Sequence, residues 1–159
     1  MEILPSGSSP ASAGALAAGL LSDACRLDLE PRDSLQLEVV RDLAEDLKDQ
    51  FETLAARTAT EEDEPAGLLV ESALRCADLA NLAACNLPEL SEAAAPRAAA
   101  SVHLAAGAVQ ALCLLADGAA EALDATLSDN ARRDAQGARW RADLALHQVN
   151  EFARNPSRI

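Results

Sequence analysis

The sequence of 159 residues contains no tyrosine, two phenylalanines, one tryptophan, one methionine and one lysine, Lys48. Aromatic residues make up 2% of the chain while half of it is apolar, so the interior has to be assembled from Ala, Leu and Val. Small side chains fill little volume, and such a core closes only where helices approach one another closely. Strands are built from β-branched and aromatic residues, and their scarcity excludes a sheet. Thirteen basic residues against 26 acidic ones give a formal net charge of −13, with no basic stripe to follow a phosphate backbone. Nucleic acid is therefore excluded as a partner. The two histidines, His103 and His147, form no His-x-x-x-His or Glu-x-x-His pair, which removes a ferritin-like metal bundle; no metal is expected.

What is present is helical periodicity, punctuated by proline and polar turns. The chain reads as one domain over 1–159, with 1–10 a flexible lead-in and 155–159 a frayed tail. The first helix covers about 11–28 and stops before Glu30-Pro31, because a residue preceding proline is pushed out of the α region. Asp33, with Gln36 three residues later, caps a second helix over 34–58. Leu35, Val39, Leu43, Leu47, Phe51 and Leu54 form its core face. The acidic run Glu61-Glu62-Asp63-Glu64 before Pro65 opens a third, over 65–85. From 93 to 117 comes the most apolar segment, and a helix apolar on nearly all sides is the centre of a bundle or part of an interface. A last helix covers 129–153 with Ser128 as N-cap. The expected fold is an all-α antiparallel bundle of about five helices, dimeric through 98–115, where a charge at Val109 would dissociate the dimer or unfold the chain.

Cys25, Cys76, Cys85 and Cys113 match no zinc or redox spacing and lie in apolar helical contexts, so they read as buried, reduced thiols. A cytoplasmic location follows from that reading. Met1-Glu2 lacks the positive charge that opens a signal peptide, and the apolar stretch 13–21 is too short to span a bilayer. Arg97, Ser101, His103 and Gln110 argue against lipid around the longer apolar segment. No membrane association is expected.

Three places carry candidate chemistry. The small-residue run 6–14 opens directly into a helix, and as a loop it would leave backbone N–H groups uncovered for an anion or polar ligand; as a lead-in it would only pack tightly. Glu92, beside Ser91 at the start of the apolar helix, is a cap or a general acid or base whose pKa is set by the helix dipole against desolvation. His103 reads as a buried, hydrogen-bonded histidine or as a base.

Three motifs in order resemble a known family. Pro10-Ala11-Ser12-Ala13-Gly14 resembles the Pro-Gly-Gly-Gly-Ser start of the cyclodeaminase/cyclohydrolase family, folate enzymes found also as the second domain of formiminotransferase-cyclodeaminase. Glu64-Pro65-Ala66-Gly67-Leu68-Leu69 is similar to its Val-Pro-Leu helix start, and Leu90-Ser91-Glu92-Ala93-Ala94 to its Val-Ser-Asp-Ala-Gly loop before an Ala-rich central helix. The chain resembles a degenerate member: glycines are replaced by Ala and Ser, Glu92 stands for Asp, and the asparagines after the central helix are missing. The resemblance implies a helical homodimer acting on or binding a one-carbon tetrahydrofolate derivative as substrate, with no other cofactor. Glu92 and His103 would move the proton, Ser8, Ser9, Ser12 and Gly14 would hold the pterin edge, and Arg97, with Arg75, Arg132 and Arg133, would meet the glutamate tail. The alternative is a non-catalytic helical homodimer that binds a small ligand or a partner protein.

Overall fold

The computed structural model describes residues 10–29, 34–60, 65–121 and 125–155, with the side chains of 10, 11, 55, 57–60 and 65 left aside. The elements are α1 (Pro10–Leu29), α2 (Leu35–Thr60), α3 (Pro65–Asn86), a 3₁₀ turn (Leu87–Glu89), α4 (Ala95–Ala120) and α5 (Ala125–Arg154). Among the described residues there is no strand, and the chain is the all-α bundle that its composition predicts. Successive helices run antiparallel, and cross-links fix their register. Ser22 and Arg26 of α1 donate to Glu45 Oε1 of α2 at 2.9 and 2.6 Å. Arg26 first, then Ser22, holds the Glu45 carboxyl below its ordinary range. Ser101 Oγ of α4 donates to the Ala17 carbonyl of α1 at 2.7 Å, and Arg139 of α5 reaches Asp117 of α4 at 2.8 Å.

α4 is the central element, packed on α3, α1 and α5. Its inner side is Ala98, Val102, Ala105, Ala106, Val109, Leu112, Cys113 and Ala116, all buried. The helix is long and apolar enough, by length and composition alone, to cross a membrane, yet half of its apolar window is buried inside the bundle. The core helix of a bundle meets the same description.

Three local expectations change in the structure. α2 buries Leu37, Val40, Ala44, Phe51 and Leu54, while Leu35, Val39 and Leu43 face outward. The first half of α2 carries two apolar stripes, and the one containing Ala44 allows the closer approach to α1. Asp33 lies outside the described residues; Ser34 makes the cap, its carbonyl accepting from Glu38 N–H and its Oγ from Leu37 N–H. Gln36 instead donates to Asn86 Oδ1 at the end of α3. α5 begins at Ala125, so Ser128 is a buried residue inside the helix and no cap.

Gly14 shows how tightly the interior closes. A Cβ built there would lie 2.8 Å from two ring carbons of Phe51 and 3.0 Å from Cys76 Sγ. The absent side chain is what lets α1 settle against α2 and α3. Gly14→Ala should therefore lower stability by up to about 2 kcal/mol, the balance of overpacking at about 1–3 kcal/mol and about 1 kcal/mol of gained helix propensity. Gly137→Ala, where a Cβ meets nothing within 4 Å, should raise it by about 0.5–1 kcal/mol. Urea denaturation of the two variants checks both signs.

The thiols report on the same packing. Burial pushes Cys76 from 9.0 up to about 12, with Cys113 adding a smaller push, and pushes Cys25 up to about 11, with Asp28 assisting. The unfolded chain then releases these protons before the folded one does. The contribution is fully present below about pH 9 and is lost as pH rises through 11 and 12. The melting temperature should fall above pH 9, with a shallower slope in Cys76→Ala.

Candidate functional site

The sequence-selected residues fall into two groups at opposite ends of the bundle. At the first end, Ser8 and Ser9 lie outside the described residues. From Pro10 onward the small-residue run is already α1, since proline suits a first helical turn. Ser12 is half-buried in that turn, and Gly14 is buried against Phe51. Gly14 is thus a packing glycine inside a helix, which leaves it no backbone exposed to a ligand.

At the other end, the turn before α4 is tied to the end of α1. Asp28, only 2% exposed, accepts the Ser91 backbone N–H at 2.6 Å through Oδ2 and the Ser91 hydroxyl through Oδ1. Ser91 Oγ in turn accepts the Ala94 N–H at 3.3 Å, while the Ser91 carbonyl accepts from Ala94 and Ala95. Ser91 therefore organises the start of α4, as its position suggests, and Asp28 is the partner that sequence reasoning missed. An isolated Asp carries no signal of burial at its position in the chain. Glu92, one residue on, is exposed.

The separation follows from helix geometry. Ser12 and Asp28 are sixteen residues apart on α1, which at 1.5 Å per residue is about 24 Å. Glu92 and the 12–14 segment therefore do not share a pocket within one chain. His103 lies on the outward side of α4 and is exposed; the expectation of a buried histidine fails because the rotation that buries Ser101 and Val102 carries position 103 out to solvent. His147 is exposed on α5.

The arginines do not converge either. Arg97 lines a depression of about 240 Å³ with Asp23, Arg26 and Leu27. Arg75 lies in a groove between α2 and α3 with Asp49, Gln50, Thr53, Leu54 and Glu71. Arg132 and Arg133 are exposed on α5. Among the described residues no three His, Cys, Asp or Glu side chains come together as a metal would need.

A roomier cavity, about 450 Å³, opens between the ends of α3 and α5, where the 3₁₀ turn leaves the bundle. Ala84, Cys85, Leu87 and Pro88 form one wall and Gln148, Glu151, Phe152 and Asn155 the other. Pro88 ends α3 and turns the chain across the end of the bundle, and Ala84 offers too little side chain to fill the space beneath. Gln148 Oε1 is shielded from solvent and has no hydrogen-bond partner among the described residues. A buried carbonyl left so costs about 1–3 kcal/mol. Cys85 is exposed, its Sγ 3.7 Å from Asn81 Oδ1, so one of the four thiols departs from the expectation of burial. Sequence reasoning treated this region as a connection and a surface, because the wall residues come from two segments about sixty positions apart.

No protein-family model and no curated protein matches this chain.

The Asp28–Ser91 contact separates structure from chemistry at the start of α4. Ser91→Ala removes the hydroxyl from a buried carboxylate and should cost about 2–4 kcal/mol, because the remaining charge is left under-bonded. Glu92→Gln, at an exposed position, should change stability by less than about 0.5 kcal/mol. Chemical denaturation of both variants measures the contrast.

Proposed function

We propose that this chain is a non-catalytic helical-bundle protein that acts by association, as a homodimer joined through the outer face of α1 and α4. The observation behind this reading is the charge pattern of α4. Between Arg97 and Asp117 it carries no Asp, Glu, Lys or Arg, although its outward residues Ala100, His103, Gly107, Gln110 and Leu114 are exposed. Ser101 is bonded to Ala17 of α1, and Leu16, next to Ala17, adds an exposed apolar side chain from the neighbouring helix. Leu16 is 60% exposed and Leu114 68%.

A two-fold interface sets a patch against its own copy, so a charged patch meets like charge. In a chain of net charge −13 an uncharged face escapes that repulsion. Small residues at 100, 107 and 111 let two copies of α4 approach closely.

The folate-enzyme reading has less support from the geometry. Its proton-transfer candidates Glu92 and His103 are in solvent, where neither the desolvation nor the positioning that general acid–base catalysis exploits is available. Its binding motif lies at the other end of α1.

Light scattering at tens of micromolar should give twice the chain mass. Val109 is fully buried inside the bundle, so a charge there unfolds the chain and says nothing about the dimer. Gly107 is the better probe: a Cβ there meets nothing within 4 Å, and Gly107→Glu should yield a folded monomer with an unchanged helical circular dichroism spectrum. A monomeric wild-type chain overturns the proposal. A thermal shift with a methenyl-tetrahydrofolate, together with turnover lost in Glu92→Gln, would restore the enzyme reading.

A further inference from the structure

We infer that the outer face of α2 is a docking surface for an amphipathic helix of another protein, one that carries aliphatic anchors with a border of Lys or Arg beside them. This surface is separate from the face of α1 and α4 and does not depend on the dimer. The first half of α2 has two apolar stripes, and the bundle buries one of them, Leu37-Val40-Ala44. The other stays in solvent: Leu35 is 75% exposed, Val39 50% and Leu43 47%. Single exposed aliphatics are ordinary, but three at four-residue steps follow one another along about 12 Å of helix and make a continuous strip. Helix formation does not require them, since Val is a poorer helix former than the Lys, Glu or Gln that would keep the strip soluble.

Charge selects the occupant. Helical spacing sets Glu38, Asp42, Asp46 and Asp49 along one edge of the strip. Asp42 is paired with Arg41 at 2.7 Å, and Asp46 accepts from the neutral amide of Gln50 at 2.8 Å. Among the described residues Glu38, Asp46 and Asp49 belong to no ion pair. Arg41 and Lys48 fall by the same spacing beyond the carboxylates, on the side away from the strip, and Lys48 lies 4.0 Å from Glu52. The strip therefore has a net negative border. A second copy of α2 would set this border against like charge, and so would an acidic helix. A helix with Leu at i, i+4 and i+7 and bases beside them matches both the apolar strip and its border.

The probe is a fluorescein-labelled peptide of about eighteen residues, with Leu at those steps and Lys on either side. It is compared with a scrambled peptide of equal charge and with a version in which every Lys is Glu. Fluorescence anisotropy with the full chain should show saturable binding of the first peptide, about tenfold weaker binding of the scrambled one and none of the acidic one. Leu35→Gln/Val39→Gln, which keeps every charge, should weaken binding about tenfold. Asp46→Asn/Asp49→Asn should weaken it as well and flatten its salt dependence. Gly107→Glu, on the α4 face, should bind as the wild type does. Circular dichroism checks that each variant is folded, and Leu35→Gln alone, at the most exposed of the three positions, decides the matter should the double variant not fold. Equal binding of the scrambled peptide, or binding unchanged in folded Leu35→Gln/Val39→Gln, would overturn the inference, since charge alone would then hold the peptide. Conversion of a wild-type dimer to a monomer by Leu35→Gln/Val39→Gln would overturn it too, because a second copy would then be the occupant.

Discussion

Close approach of helices through alanine is the constraint on which this bundle depends. Along α4 and α5 the buried positions are mostly Ala, including Ala98, Ala105, Ala116, Ala135, Ala138, Ala142 and Ala145. Each contributes little apolar area, so the core gains its stability from many short-range contacts between backbones drawn near to one another. Such an interior has no slack. Gly14 facing the Phe51 ring is the extreme case, since even a methyl group would collide. Phe51 is the largest side chain in the fully buried set, and it packs against a residue with no side chain.

The same constraint governs the polar groups that lie inside. Two of the polar side chains within the bundle are short and bonded across it, Ser101 to Ala17 of α1 and Asp28 to Ser91 in the turn before α4. A long side chain would hold the helices apart, whereas a hydroxyl reaches a neighbouring carbonyl at alanine spacing. The ion pairs Arg26–Glu45, Arg139–Asp117 and Arg141–Asp78 sit at the rims, where long arginines bridge adjacent helices without entering the core. Exposed pairs of this kind contribute about 0–1 kcal/mol each, so they set register more than stability.

Where alanine packing ends, the molecule becomes accessible. The outer side of α4 continues the small, uncharged pattern of its inner side, which gives the bundle a face that another close-packed helix could meet. At the end of α3, small residues leave the space to the facing end of α5 unfilled. Ala84 and Cys85 there border a cavity in place of a contact. Association, as proposed for the first of these regions, follows from an interior rule applied at the surface.

Helix content, helix order and the centrality of 95–120 were legible in the sequence, because they rest on periodicity, on proline and turn residues, and on the scarcity of strand formers, all local properties of the chain. Which stripe of α2 goes inward was not, since Leu35-Val39-Leu43 is if anything more apolar than Leu37-Val40-Ala44 and the fit against α1 selects the second. The role of Ser91 could be anticipated from its place before a helix, but Asp28, sixty-three residues away, could not. Gly14 and Glu92 look like parts of one site when motifs are read in order along the chain. A helix of twenty residues keeps its two ends apart by its own rigid rise. Local composition determined the elements; distances between elements, and with them every burial and every shared pocket, were decided by how closely the side chains allow the helices to pack.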